Sequence, residues 1–160
     1  MIKSDWSIGE KDGTISTIAD NRYIYTSPKY TLSDGNLAKI RFTFLESYKS
    51  SSDRTGFPYV SIAEFYLYDG DGNSIPLTAN NFYTNAQEVI EGPIADICDN
   101  NKDTYWHSSW TSGVGEYHYL EVTLPTGIDL NTFSFRWVSR DKNKYLTYIP
   151  KTVDITAFTK

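Results

Sequence analysis

Residues 38–45 read AKIRFTFL, with Ile40, Phe42 and Phe44 at one parity and Lys39, Arg41 and Thr43 at the other. Successive side chains leave a strand on opposite faces, so this alternation marks a half-buried β-strand. The pattern recurs downstream. Leu120, Val122 and Leu124 alternate within 119–124, Phe133, Phe135 and Trp137 within 132–137, and Val153, Ile155 and Ala157 within 152–157. Upstream, residues 1–37 are punctuated by turn formers (Asp12-Gly13, Asp20-Asn21, Ser27-Pro28, Asp34-Gly35) between short β-rich pieces such as 23–26. Residues 85–92, NAQEVIEG, are the only place where a helical turn is expected. Many short strands and no long helix predict an all-β sandwich of antiparallel sheets.

Composition agrees. Thirteen tyrosines and 16% aromatic residues, with abundant Thr, Ser, Asn and Gly, suit an all-β surface module. At 160 residues the chain fits one domain that closes its own core. A single cysteine, Cys98, excludes an internal disulfide framework and is expected to be a buried, inert thiol. The net charge of -5 argues against nucleic acid or an anionic membrane as partner, since both are attracted by clustered Lys and Arg. The residues after Met1, IKSDWSIGE, lack the charged and apolar regions of a signal peptide, and no apolar run reaches transmembrane length.

Residues 60–68 form a second kind of strand. Val60 and Ile62 share one parity, Phe65 and Leu67 the other, and the slip at Ala63-Glu64 predicts a bulge. Glu64 is thereby a carboxylate in an apolar strand, costly unless paired or on a metal. Asp69 to Asn73 (DGDGN) resembles the start of an EF-hand loop, but Ser74 stands where Gly is required and Asn80 where the bidentate Glu belongs, so a tight turn is expected.

The densest chemistry lies in 97–110, ICDNNKDTYWHSSW. Asp99, Asn100, Asn101, Asp103 and Thr104 put short oxygen-bearing side chains within six positions, which suits a hard cation such as Ca²⁺ and equally suits an ion-free Asx turn. Tyr105, Trp106, His107 and Trp110 follow, a run fit for a ligand with polar and apolar sides or for the core.

These residues resemble the F5/8 type C, or discoidin-like, domain family, including its galactose-binding carbohydrate-binding modules. Asp99, Asn101, Thr104 and Trp106 stand at the spacing of the family signature, and 107–110 match its frequent WHTxW continuation. Asn100 replaces the signature Gly and Cys98 its hydrophobic residue. Residues 60–67, VSIAEFYL, resemble the family's closing strand. The resemblance implies a jelly-roll fold and a structural Ca²⁺ held by Asp99, Asn101, Thr104 and Glu64 with the carbonyls of Ala63 and Asp96. It also implies a shallow sugar site on the loops. His107, Trp110, Arg140 and Asn143 match its positions, Tyr48, Phe57 and Tyr59 are available from the preceding loop, and Glu88 is a further candidate.

The order departs from the family. The closing strand precedes the signature and the chain ends on PKTVDITAF, which looks like a middle strand, so a circular permutation is expected, with Ser4, Asp5 and Trp6 as the turn that follows that strand. The implied function is a non-catalytic module that binds a cell-surface or polysaccharide glycan and gains avidity within a larger or multivalent protein. Its setting would be extracellular, on a cell or virion surface. The alternative is a protein-binding or structural attachment module without a sugar site. Catalysis finds no motif: His107 and His118 are the only histidines, and Asp99 and Asp103, the one imaginable acid pair, lie inside the ion signature.

Overall fold

The computed structural model describes residues 2–7, 14–18, 22–48, 51–141 and 148–160. Among the described residues there are twelve strands: β1 (Ile2–Ser7), β2 (Thr14–Ile18), β3 (Arg22–Thr26), β4 (Tyr30–Thr31), β5 (Leu37–Ser47), β6 (Ser61–Ile62), β7 (Glu64–Asp69), β8 (Phe82–Thr84), β9 (Trp106–His107), β10 (Tyr119–Thr123), β11 (Thr132–Asp141) and β12 (Pro150–Thr159). All pairings are antiparallel. One sheet runs β1-β12-β5-β10-β8; the other centres on β11, flanked by β7 on one side and by β3 and β4 on the other, with β2 outside β3. The chain passes between sheets from β4 to β5, β7 to β8, β10 to β11 and β11 to β12, the crossing connections of a jelly-roll sandwich. Among the described residues no helix is long and apolar enough to cross a membrane.

The alternating residues meet in the middle. Phe42 and Ile40 of β5 stand opposite Leu120 and Val122 of β10 on one side and Ile155 and Ala157 of β12 on the other. Phe42 then reaches across to the second sheet, with ring centroids 5.5 Å from Phe65, 4.8 Å from Phe135 and 6.1 Å from Trp137 in edge-on geometry. Trp106 is fully buried against Phe44, 5.8 Å away, and its indole N–H donates to the Ala86 carbonyl, which makes it core.

The slip expected at Ala63 is a change of partner. Ser61 and Ile62 pair with His107 and Trp106, whereas residues from Glu64 onward pair with β11, and the Ala63 N–H donates to the Val138 carbonyl at the crossover. The Asp69 to Asn73 turn forms as read, its carboxylate accepting the Asp71 and Asn73 N–H groups.

Three expectations are corrected. Ser4, Asp5 and Trp6 form no turn; they lie within β1, paired with Ile155, Asp154 and Val153, because the terminal segment takes the open edge of β12. Within residues 85–92 a single turn closes from the Gly92 N–H to the Glu88 carbonyl, and Glu88 and Gly92 both pair with the His107 backbone, but this is not the one place with a helical turn: 3-10 turns form at Ala79–Asn81 and Ile94–Cys98. Cys98 is half-buried, and burial, with Glu64 and Asp99 nearby, pushes its thiol up and keeps it unreactive.

Candidate ligand-binding and cation-binding site

Both halves of the 97–110 stretch are held by the same crossover. The Ile94–Cys98 turn delivers Asp99, and Asn100 takes a left-handed backbone (φ 64°) that Asn tolerates and glycine would adopt freely. The reversed chain returns Asn101 to Glu64: its N–H donates to Glu64 Oε1 at 2.8 Å and to Asp99 Oδ1 at 3.0 Å. Thr104 Oγ1 donates to Asp99 Oδ2 and lies 2.9 Å from the Asn101 carbonyl, while Asn101 Oδ1 accepts the Asp103 N–H. Arg22 of β3 fastens the far side, donating to the Lys102 carbonyl and to Asp103 Oδ1.

Glu64, Asp99, Asn101 and Thr104 are thus brought together, with Ala63 at the crossover and Asp96 in the 3-10 turn. Glu64 is 1% exposed. Burial pushes its carboxyl up to about 7, aided by hydrogen bonding to Asp99 and by that neighbour's charge, against the pull of the Asn101 N–H. Asp99 is held low despite burial, by bonds to Thr104 and Glu64. No salt bridge among the described residues reaches either carboxyl. Nor do the described residues contain three or more His, Cys, Asp or Glu side chains grouped to hold a metal; the set is two carboxyls with amide, hydroxyl and backbone oxygens. Two adjoining carboxyls, one sealed from water and with no cationic side chain bonded to it, are a donor set that fits a hard cation.

The second half builds an aromatic cluster. β11 slips against β3 between Val138 and Asp141, and this irregularity turns Arg140 inward, leaving it 7% exposed. Its guanidinium lies 3.5 Å from the Tyr105 ring centroid and 5.7 Å from that of Tyr148. His107, 1% exposed, sits 5.1 Å from Tyr148, 5.7 Å from Tyr59 and 6.4 Å from Tyr105, ring to ring. Burial lowers its pKa against the pull of the Ser108 carbonyl. With the ring neutral, the 2.6 Å contact from Nδ1 to that carbonyl places the proton on Nδ1 and leaves Nε2 an acceptor.

The remaining sequence candidates divide. Trp110 is 45% exposed, its indole N–H donating to Glu91 Oε2 at 2.8 Å. Glu88 accepts the N–H groups of Trp110 and Thr111 and the Thr111 hydroxyl; these bonds outweigh burial and hold its carboxyl below the usual range. It shapes the turn beneath Trp110. Phe57 leaves the cluster and packs edge-on against Tyr117 at 5.1 Å. Tyr48 rests against the core, with its N–H on the Ile149 carbonyl. Asn143 lies outside the described residues.

Beneath the cluster lies an array that sequence reading did not foresee. His118 Nε2 is 2.9 Å from Asp53 Oδ2, His118 Nδ1 is 2.9 Å from Ser108 Oγ, and that oxygen accepts the Val60 N–H at 2.8 Å. Asp53 Oδ1 also accepts the Thr55 N–H, the Thr55 hydroxyl and the Phe57 N–H. Ser108 and His118 are both 0% exposed, so this Asp-His-Ser chain clamps the 51–59 loop to β10. Arg22 and Tyr148 also escaped notice as site residues, and nothing local signalled either; Tyr105 was legible within the aromatic run. Compared with models of known protein families the chain matches none, and no curated protein matches it.

Proposed function

We propose that this chain is a non-catalytic carbohydrate-binding module of discoidin-like type with permuted strand order, and that a structural Ca²⁺ pins its 97–104 loop. The carrying observation is the convergence of Tyr59, Tyr105, His107, Tyr148 and Arg140 at one end of the sandwich, beside the exposed Trp110. A pyranose offers an apolar C–H face to ring faces and hydroxyls to a guanidinium or an amide, while His107, which is buried, packs among the rings. A terminal galactose-type sugar on a cell surface or polysaccharide is the favoured ligand. A shallow single site of this kind binds weakly, and copies within a larger or multivalent protein on an extracellular, cell or virion surface supply avidity.

The side chains of Glu64, Asp99, Asn101 and Thr104 and the carbonyls of Ala63 and Asp96 would hold the ion, six oxygens being the lower end of Ca²⁺ coordination. When bound, Ca²⁺ supplies the positive charge that two adjacent carboxylates otherwise lack. Its role is structural, since the loop it pins leads directly into Tyr105 and His107.

The test is a broad glycan panel run with Ca²⁺ and after chelation, with Arg140→Ala and Glu64→Gln alongside. Selective binding to a few neutral terminal sugars, lost in Arg140→Ala while the far-ultraviolet spectrum is kept, is expected. Ca²⁺ at about one hundred times its Kd should stabilise the wild type by roughly 2.7 kcal/mol, and Glu64→Gln should remove that gain. A folded, Ca²⁺-loaded protein that leaves the panel blank defeats the sugar reading. It would favour a protein-binding attachment module, for which the bare apolar tip at Val89 and Ile90, 71% and 99% exposed, is the supporting observation.

A further inference from the structure

Next to the aromatic cluster lies a groove of about 260 Å³ between residues 84–87 and the turn that carries Ser109, Ser112 and Val114. Two chain segments join it to the cluster: residue 87 leads into the Glu88 turn, and Ser109 follows His107 and Ser108. No charged side chain lines it.

Its walls are fixed by bonds made elsewhere. Thr84 Oγ1 is occupied by Ala86 and by the Tyr119 carbonyl. The Asn85 amide donates to the Tyr117 carbonyl and accepts the Tyr119 N–H. Gln87 Oε1 accepts the Ile94 N–H at 2.9 Å, which orients the amide and leaves Nε2 without a partner among the described residues. Ser109 Oγ and Ser112 Oγ lie 2.9 Å apart, and Ser112 is exposed. Ser109 is buried, its hydroxyl also donating to the Ser112 carbonyl, so the lining groups open to a ligand are the Gln87 amide donor and the exposed Ser112 hydroxyl, which match the vicinal hydroxyls of a sugar ring.

Around this neutral lining the charge is negative. Glu116 Oε1 meets the Asn85 amide at 3.3 Å, and Glu88 Oε1 lies 3.5 Å from Ser109 Oγ. Arg140 is withdrawn over Tyr105. Trp110, between the two groove serines in sequence, and Tyr117 are 45% and 44% exposed.

We propose that this groove is a subsite for one neutral hexose or N-acetylhexosamine unit, and that its acidic rim rejects uronic, sialylated and sulfated sugars. The inference rests on the carbohydrate reading above and adds where one unit sits and which glycans are refused. An anionic sugar would lose solvation without meeting a cation and would face like charge, which is how a site discriminates by repulsion.

The experiment titrates the ¹⁵N-labelled, Ca²⁺-loaded protein with methyl β-galactoside, methyl α-mannoside, methyl β-N-acetylglucosaminide and glucuronic acid. One neutral glycoside should shift the amides of 84–87 and 109–114 in a saturable way, with glucuronic acid at least about tenfold weaker. Ser112→Trp, at an exposed position, should weaken that glycoside at least about tenfold with an unchanged Tm. Gln87→Ala also loses the bond to Ile94, so Ser112→Trp is the deciding variant. Shifts confined to Tyr59, Tyr105 and Tyr148, with Ser112→Trp binding as wild type does, overturn the groove and leave the carbohydrate reading standing. Glucuronic acid binding as tightly as the neutral sugars overturns the acidic exclusion. No shift with any sugar, together with a blank glycan panel, removes both readings.

Discussion

The Asp53 carboxylate meets five polar atoms of its surroundings, and its two neighbours in the buried chain, His118 and Ser108, have no route to solvent. Burial works to raise its pKa, yet the bonds from His118, Thr55 and Phe57 prevail and bring it down to about 2. The folded chain therefore releases this proton more readily than the unfolded chain does. The contribution to stability is whole above about pH 4 and is lost as pH falls through about 2. His118 adds to the same trend, since burial depresses its pKa below 6.5 and the folded state begins to resist protonation there. Denaturant midpoints measured from pH 7 to pH 2 should fall for the wild type. Asp53→Asn should start lower, by on the order of 2 kcal/mol, and run flatter between pH 4 and 2. Parallel profiles for the two proteins would show that Asp53 is not the titrating anchor.

The Glu88 turn shows how one element can set the register of another. Gly92 lies so close to β9 that an added Cβ would stand 2.6 Å from the His107 nitrogen and 3.0 Å from the Tyr105 carbonyl. Backbone cannot yield as a flexible side chain does, so only glycine fits. Gly92→Ala is expected to cost about 1–3 kcal/mol through overpacking. At this chain length that lowers Tm by roughly 2–4 °C per kcal/mol. Amide exchange should accelerate at Glu88 and His107, the two N–H groups that close this pairing, ahead of β5 and β12. Protection lost uniformly across the chain would instead mean that the turn is part of the global folding unit. The same element holds Glu88 under Trp110 and Glu91 on its indole, so the variant should also disturb Trp110 fluorescence.

Across the whole molecule, stability depends on residues that both sheets share. Phe42 touches Phe65, Phe135 and Trp137 in the opposite sheet while pairing with β10 and β12 in its own. Phe42→Ala should cost about 3–5 kcal/mol and shift the urea midpoint without splitting the transition. A biphasic curve would show that the sheets unfold separately. Electrostatics on the outer face is a smaller matter: Glu121 is gripped by Lys39 and by Arg41, which lies over Tyr119, but those cations stay 30% and 36% exposed, and such pairs contribute little.

Much of the fold was legible in residues 38–45, 119–124, 132–137 and 152–157, because the period of a strand is a local property that survives without its partners. The Asp69 turn was legible for the same reason, its carboxylate bonding residues two and four positions on. The slip at Ala63 announced that the strand must re-aim, and only the fold showed that it does so by exchanging β9 for β11. Glu64 and the 99–104 loop could be matched as two separate anomalies in sequence. Their meeting depends on that exchange. Arg22 reaches 80 residues to Lys102 and His118 reaches 65 to Asp53, distances over which local pattern carries no information. Arg140 could be matched in sequence to a sugar-site position, but only the slip of β11 against β3 showed that it lies over Tyr105. Ser4 to Trp6 were expected as a turn only through the family resemblance, and they form a strand because β12 offered an unpaired edge. Alternation and turn chemistry act through neighbours along the chain and fix the class of fold; strand order, register shifts and open edges act through neighbours in space, and they assemble the site.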